Sequence, residues 1–129
     1  MKLTKVERDI IEHRLEVPDA MYDACEEALE VMGATVDEFD KAVRLVGHLI
    51  KGEFEPRQFT LIEWLVFEDA IEGSTLPDTA DDAATYPISA GGISQRYCNQ
   101  IRKAHDDLSE RYVGKGDDIL VRVEPGLDK

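Results

Sequence analysis

Two parts of the chain repeat one another, and this internal duplication limits the possible folds more than any other feature of the sequence. Residues 3–16 align with residues 59–72, and a threonine and three glutamates recur at matching positions. After a three-residue insertion the alignment resumes at Pro18 in the first copy and Pro77 in the second, each followed by aspartate. The duplication predicts two copies of one structural unit.

Each copy has the pattern of packed helices, because apolar residues recur every three or four positions. Thr4, Thr35 and Thr60 are each followed by glutamate three positions later, the pattern of a capping box at a helix start. Simpler N-caps are expected at Asp19 and Ser94. The predicted helices lie near residues 5–16, 19–32, 36–52, 60–72, 79–86 and 94–113.

These elements predict an all-α fold, a single compact domain of two tandem trihelical units, residues 1–56 and 57–116. The fourth predicted helix is unusual, since residues 61–71 leave almost no polar face. A helix that is apolar on all sides is buried on all sides. We therefore expect the two units to pack around this helix, or the helix to lie in a dimer interface.

The C-terminal segment, residues 117–129, breaks the helical pattern. Residues 118–124 include a β-branched, partly alternating run, and Pro125 follows them. This predicts one short β-strand, which would pair with a partner protein or across a homodimer, because a lone strand leaves its backbone groups unpaired. The alternative is an extended tail that packs on the chain's own helices.

Composition indicates a soluble, acidic, intracellular protein. The net charge is -13 over 129 residues. The excess of carboxylates lies in residues 1–90, which would repel nucleic acids and anionic membranes, whereas residues 91–116 could tolerate a phosphate backbone. Cys25 and Cys98 are far apart and lack metal or redox spacing, which suits reduced thiols. No apolar run is long enough to span a bilayer or to form a signal peptide. A cytoplasmic location without membrane contact is the expectation.

Carboxylates crowd the first two predicted helices. Spaced along a rigid scaffold, they could imitate the phosphate charges of a nucleic acid and occupy the basic groove of a nucleic-acid-binding protein. Small acidic inhibitors and adaptors carried by phages and mobile elements work in this way. The other interpretation is an ordinary solvated helix face. The candidate partner-binding residues are Glu7, Asp9, Glu12, Glu16, Asp23, Glu26, Glu27 and Glu30.

An alternative function, a DNA-binding transcriptional regulator, rests on residues 91–104. Two glycines, an N-cap serine and a polar helix start resemble the turn and recognition helix of a helix-turn-helix. The preceding segment is acidic and contains Pro87, which makes the connection longer than such motifs use. A trihelical scaffold of similar shape remains the other interpretation. The candidate DNA-binding residues are Gln95, Arg96, Asn99, Arg102 and Lys103.

Enzyme activity is not expected, and a thiol or metal enzyme is the last of the three hypotheses. Asp9 and His13 are spaced to form only half of a metal site. Cys98 has Arg102 and His105 on the same helix, whose positive charge could activate a thiol, but a buried structural cysteine is the better interpretation. No phosphate-binding glycine loop is present. We therefore expect a non-catalytic protein-binding module with no cofactor.

Overall fold

The computed structural model of the chain describes residues 2–16, 21–74, 76 and 95–120. Six α-helices form there, and these residues form no strand beyond a single backbone bridge between Lys2 and Glu53. The all-α prediction is confirmed. The helices are α1 (Lys5–Leu15), α2 (Tyr22–Glu30), α3 (Val36–Leu49), α4 (Leu61–Glu72), α5 (Gln95–Tyr112) and α6 (Gly116–Ile119), with a 3-10 turn at Pro56–Gln58 before α4.

All three predicted capping boxes are confirmed. At the start of α1, the Thr4 hydroxyl accepts a hydrogen bond from the Glu7 amide at 3.2 Å, and a Glu7 carboxylate oxygen accepts one from the Thr4 amide at 2.9 Å. The same reciprocal pair opens α3 and α4. Each box satisfies backbone amides that a helix start leaves without partners. The expected caps at residues 19 and 94, and the predicted helix at 79–86, lie outside the described residues.

Helix α4 lies at the centre of the fold and packs against α1, α2, α3 and α5. Its Phe67 is fully buried and contacts the rings of Phe54, Phe59, Trp64 and Tyr112, with centroid separations of 5.2 to 6.0 Å. Each such buried side chain stabilises the fold by about 1.5–3 kcal/mol. The central position expected of this apolar helix is confirmed.

Helices from one repeated segment pack directly against helices from the other segment. Helix α3 of the first copy packs on α4 of the second, and α5 of the second copy packs on α1 of the first. The described helices therefore share one continuous core, which includes Ile10 and Val46 from the first copy and Ile71 and Leu108 from the second.

The C-terminal segment begins differently from the prediction. Asp118 and Ile119, expected to open a strand, lie in the short helix α6. Asp117 and Asp118 occupy its first turn, where the helix dipole favours negative charge. Gly116 permits the approach of this helix to α4, since a Cβ there would lie 2.7 Å from Trp64 Nε1. The prediction is wrong for residues 118–119, and residues 121–124 lie outside the described part.

None of the described helices combines the length and the apolar character needed to cross a bilayer.

Candidate protein-binding surface

Glu7, the first carboxylate of the predicted acidic surface, is buried. One of its oxygens accepts a hydrogen bond from the Thr4 amide of the capping box, and the other accepts one from the guanidinium of Arg111 on α5. Arg111 also lies over the Tyr112 ring, 5.1 Å from its centroid. Glu7 therefore joins α1 to α5, and its charge is used inside the fold.

Asp9 is half-buried and also bonded within the chain. The Tyr97 hydroxyl of α5 donates to Asp9 Oδ2 at 2.7 Å, and the Lys5 ammonium donates to the same oxygen at 3.2 Å. Burial, together with the hydrogen bond to Asp9 and the charge of Asp9, raises the pKa of Tyr97 to about 12. Asp9 thus forms a second link between α1 and α5.

Glu12 lies further along α1 and Glu16 follows its last residue, and both face positive charge. With Arg44 and His48 of α3 and Lys51 just after that helix, they line an open hollow of about 320 Å³. Carboxylates and basic groups share this hollow, so its charge is mixed. It lacks the single sign that would attract a basic partner.

The four carboxylates of α2 are different, and we call them the α2 acidic face. The helix turns Ala24 and Ala28 into the core and contains no basic residue. Among the described residues, none forms an ion pair with these carboxylates. All four side chains are exposed to solvent. The face consists of Asp23, Glu26, Glu27 and Glu30.

The charge of Asp23, one member of this face, acts on a half-buried carboxylate of α4. Arg14 of α1 donates to Asp69 of α4, with Arg14 Nε 3.3 Å from Asp69 Oδ2. Burial raises the pKa of Asp69, Arg14 lowers it, and the negative charges of Asp23 and Glu68 raise it further. The negative charge of Asp23 therefore acts on the Arg14–Asp69 pair, although the Asp23 side chain itself is exposed.

The candidate DNA-binding residues all belong to α5, and Gln95 is its first residue. The side chains of Arg96, Asn99, Arg102 and Lys103 are exposed. They lie on the side opposite Cys98 and Ile101, which are buried in the core.

The second half of α5 carries negative charge on the same side as these basic residues. Asp106, Asp107 and Glu110 are exposed and follow Lys103 by three, four and seven positions, so they lie on the same side of the helix. A nucleic-acid backbone lying along α5 would meet carboxylates one turn after the basic residues. The outer surface of α5 is therefore mixed in charge.

The thiol and metal candidates also have defined surroundings. Both cysteines are free, and Cys98 is fully buried while Cys25 is partly buried. The His105 ring lies against α4, with its Nε2 3.0 Å from the carbonyl oxygen of Ile71. Within the described residues, no group of three or more His, Cys, Asp or Glu side chains could hold a metal ion.

The sequence did not point to a small hollow beside the start of α4. Met32 and Leu61, two of the exposed large apolar residues of the fold, line it together with Trp64. Helical spacing predicted only that α4 would be buried, so the exposure of its first residue was not expected. The one available signal was the position of Leu61 directly after the cap residue Thr60, at the helix end.

The chain matches none of the family models, curated proteins or solved structures with which it was compared.

Proposed function

We propose that this protein is a non-catalytic binding module whose α2 acidic face docks a basic surface of a partner protein, such as the nucleic-acid-binding groove of that partner. The acidic residues of α1 do not supply this face. Glu7 and Asp9 form contacts within the chain, and Glu12 and Glu16 face basic side chains of α3. The proposal therefore rests on α2.

The observation that carries the proposal is the spacing of charge on α2. Asp23 lies three and four positions before Glu26 and Glu27, and these lie four and three positions before Glu30. Every one of these neighbouring pairs on the helix surface is a like-charge pair, and each costs about 0.2–0.5 kcal/mol in the absence of a partner.

The helix dipole adds to this cost. Glu27 and Glu30 lie in the last turn of α2, which carries no basic residue. The C-terminal end of a helix carries partial negative charge, and it disfavours carboxylates. Departures from local stability of this kind are expected where function requires them. A basic partner would relieve both the repulsion and the unfavourable dipole interaction.

Tyr22 opens the same helix and supports the proposal. Its side chain is 68% exposed, and it lies one turn before Glu26. Tyrosine is enriched in protein interfaces because its ring buries a large area while its hydroxyl stays hydrated. An exposed aromatic residue beside exposed carboxylates provides both contact area and charge for a partner.

We infer further that the fold arose from two trihelical units, with the acidic face contributed by the first. The cross-packing of α3 on α4 and of α5 on α1 supports this arrangement. Small size, acidity and a rigid helical scaffold suit an inhibitor or adaptor of the phage or mobile-element type. A cytoplasmic location and self-association through residues 117–129 belong to the same proposal.

The test compares two variants with equal changes in charge. One carries Glu26→Gln, Glu27→Gln and Glu30→Gln on α2, and the other carries Asp106→Asn, Asp107→Asn and Glu110→Gln on α5. Binding of a fluorescent Lys/Ser peptide is followed by anisotropy at low and high salt. We expect the α2 variant to bind about tenfold more weakly and the α5 variant to bind nearly as wild type. Equal weakening in both variants would show that only net charge matters.

The same assay tests the alternative function, a DNA-binding regulator that uses Arg96, Asn99, Arg102 and Lys103. Labelled duplex DNA replaces the peptide, and phosphate contacts must weaken steeply as salt rises. We expect no binding, because the acidic half of α5 repels the backbone. Salt-sensitive DNA binding that is lost when these four residues are replaced would favour the regulator.

A further inference from the structure

Open hollows on the described surface differ in charge, as three of them show. One, of about 750 Å³ between the start of α1 and α5, contains Lys103 and Arg111 as well as Asp107 and Glu110. The hollow between α1 and α3 is also mixed. The third, about 260 Å³, is lined by carboxylates and apolar groups, without a basic side chain among the described residues.

This third hollow, which we call the α4 hollow, is built from several elements. Trp64 and Leu65 of α4 and Leu120 after α6 supply apolar surface. The chain between α5 and α6 is fixed against α4, because the Gly114 amide donates to Glu68 Oε2 at 2.9 Å. Gly114 has a φ of 75°, which glycine adopts without strain. The α4 hollow is thus fixed in place by the fold.

Two apolar side chains remain exposed in the α4 hollow. Met32 is 37% exposed and Leu61 is 45% exposed. Three carboxylates line the same hollow, those of Glu27, Glu68 and Asp117. A volume of this size is small for a cofactor but accommodates one or two apolar side chains of a protein partner. Apolar surface beside carboxylates suits a partner segment in which an apolar side chain is flanked by positive charge.

We propose that the α4 hollow is an anchor site for an apolar side chain of a basic segment, on the same partner that the α2 acidic face attracts. The inference rests on the proposed function and specifies where the partner gains contact area. Glu27 belongs to both surfaces, so a basic segment on α2 can reach the hollow. A second copy of this chain suits the hollow less well than a basic segment does, because it would bring a net charge of -13 towards the carboxylates that line the hollow.

The lone tryptophan allows a direct test, since Trp64 lines the α4 hollow and is the single Trp of the chain. Two synthetic peptides of equal charge are titrated against the protein, a Leu/Lys peptide and the Lys/Ser peptide. We expect the Leu/Lys peptide to change the Trp64 emission and to bind at least about tenfold more tightly than the Lys/Ser peptide.

The variant Met32→Gln with Leu61→Gln should remove this gain, so that both peptides bind alike. The matched control is Leu45→Gln on α3, where the side chain is similarly exposed but does not line the hollow. It should keep the gain in full. Circular dichroism of each variant checks that the helices are intact.

Several results would overturn the inference. These are equal binding of the two peptides to wild type, an unchanged Trp64 emission, retention of the gain by the Met32/Leu61 variant, or a wild-type dimer that Leu61→Gln dissolves. Failure of the proposed function is a different result, in which the α2 variant binds the Lys/Ser peptide as wild type does. The two failures are thus separable.

Discussion

Helices α1 and α2 both carry several carboxylates, but the surroundings of these carboxylates differ. On α1, Glu7 and Asp9 accept hydrogen bonds from Arg111 and Tyr97 of α5 and hold the fold together. On α2 the carboxylates point to solvent, one turn apart, without a basic residue on the helix. Acidic density along a sequence therefore does not separate carboxylates bonded within the fold from exposed ones, and the proposed binding surface rests on the exposed carboxylates of α2.

The largest expected effect comes from removing Glu7. Glu7→Ala loses the capping box and leaves Arg111 without its carboxylate, so we expect the free energy of unfolding to fall by about 2–4 kcal/mol. Glu38→Ala removes the same position of an exposed capping box on α3, with a loss of about 0.5–1 kcal/mol. Urea denaturation measures both.

The difference between these two variants isolates the contact of Glu7 with α5. Equal losses would mean that Glu7 contributes only its cap, and α1 would then differ little from α2. Arg111→Gln provides an independent check, because it should lower stability while leaving the Thr4–Glu7 box intact.

A smaller effect, of opposite sign, is expected on α2. The Glu26→Gln, Glu27→Gln and Glu30→Gln variant loses four like-charge pairs and an unfavourable dipole interaction, so its free energy of unfolding should rise by about 1–2 kcal/mol at low salt. The gain should shrink as salt screens these charges. Thermal denaturation at two salt concentrations measures it.

The control is the equally charged α5 variant, in which Asp106, Asp107 and Glu110 are neutralised. These residues follow Lys103 on the same side of the helix, so their removal should not stabilise the protein. A comparable gain in both variants would mean that the overall negative charge, and not the arrangement on α2, sets the cost.

Local features of the fold could be predicted from the sequence, while contacts across it could not. A capping box needs only two residues three apart, and Thr4, Thr35 and Thr60 all cap as expected. The central position of α4 could be predicted because apolar residues lie on nearly all sides of this helix. The strand prediction was wrong at residues 118–119. The β-branched composition indicated a strand, whereas Asp117 and Asp118 lie in the first turn of a short helix.

For the same reason, the sequence alone could not separate the carboxylates bonded within the fold from those of the proposed binding surface. The eight candidate carboxylates look alike in sequence, and the partner of Glu7 is Arg111, 104 positions away. Tyr97 lies 88 positions from Asp9. No local sequence pattern indicates pairs that are this far apart in the chain. The α4 hollow combines residues from α2, α4 and the segment around α6, and it too depends on tertiary packing.

Amide chemical-shift mapping of the Lys/Ser peptide on the isotope-labelled protein tests the central claim most directly. The account predicts that the shifts concentrate on residues 22–30 and leave residues 5–9 of α1 and the first half of α5 nearly unchanged. Shifts centred on Glu7 and Asp9, or spread evenly over all exposed carboxylates, would contradict it.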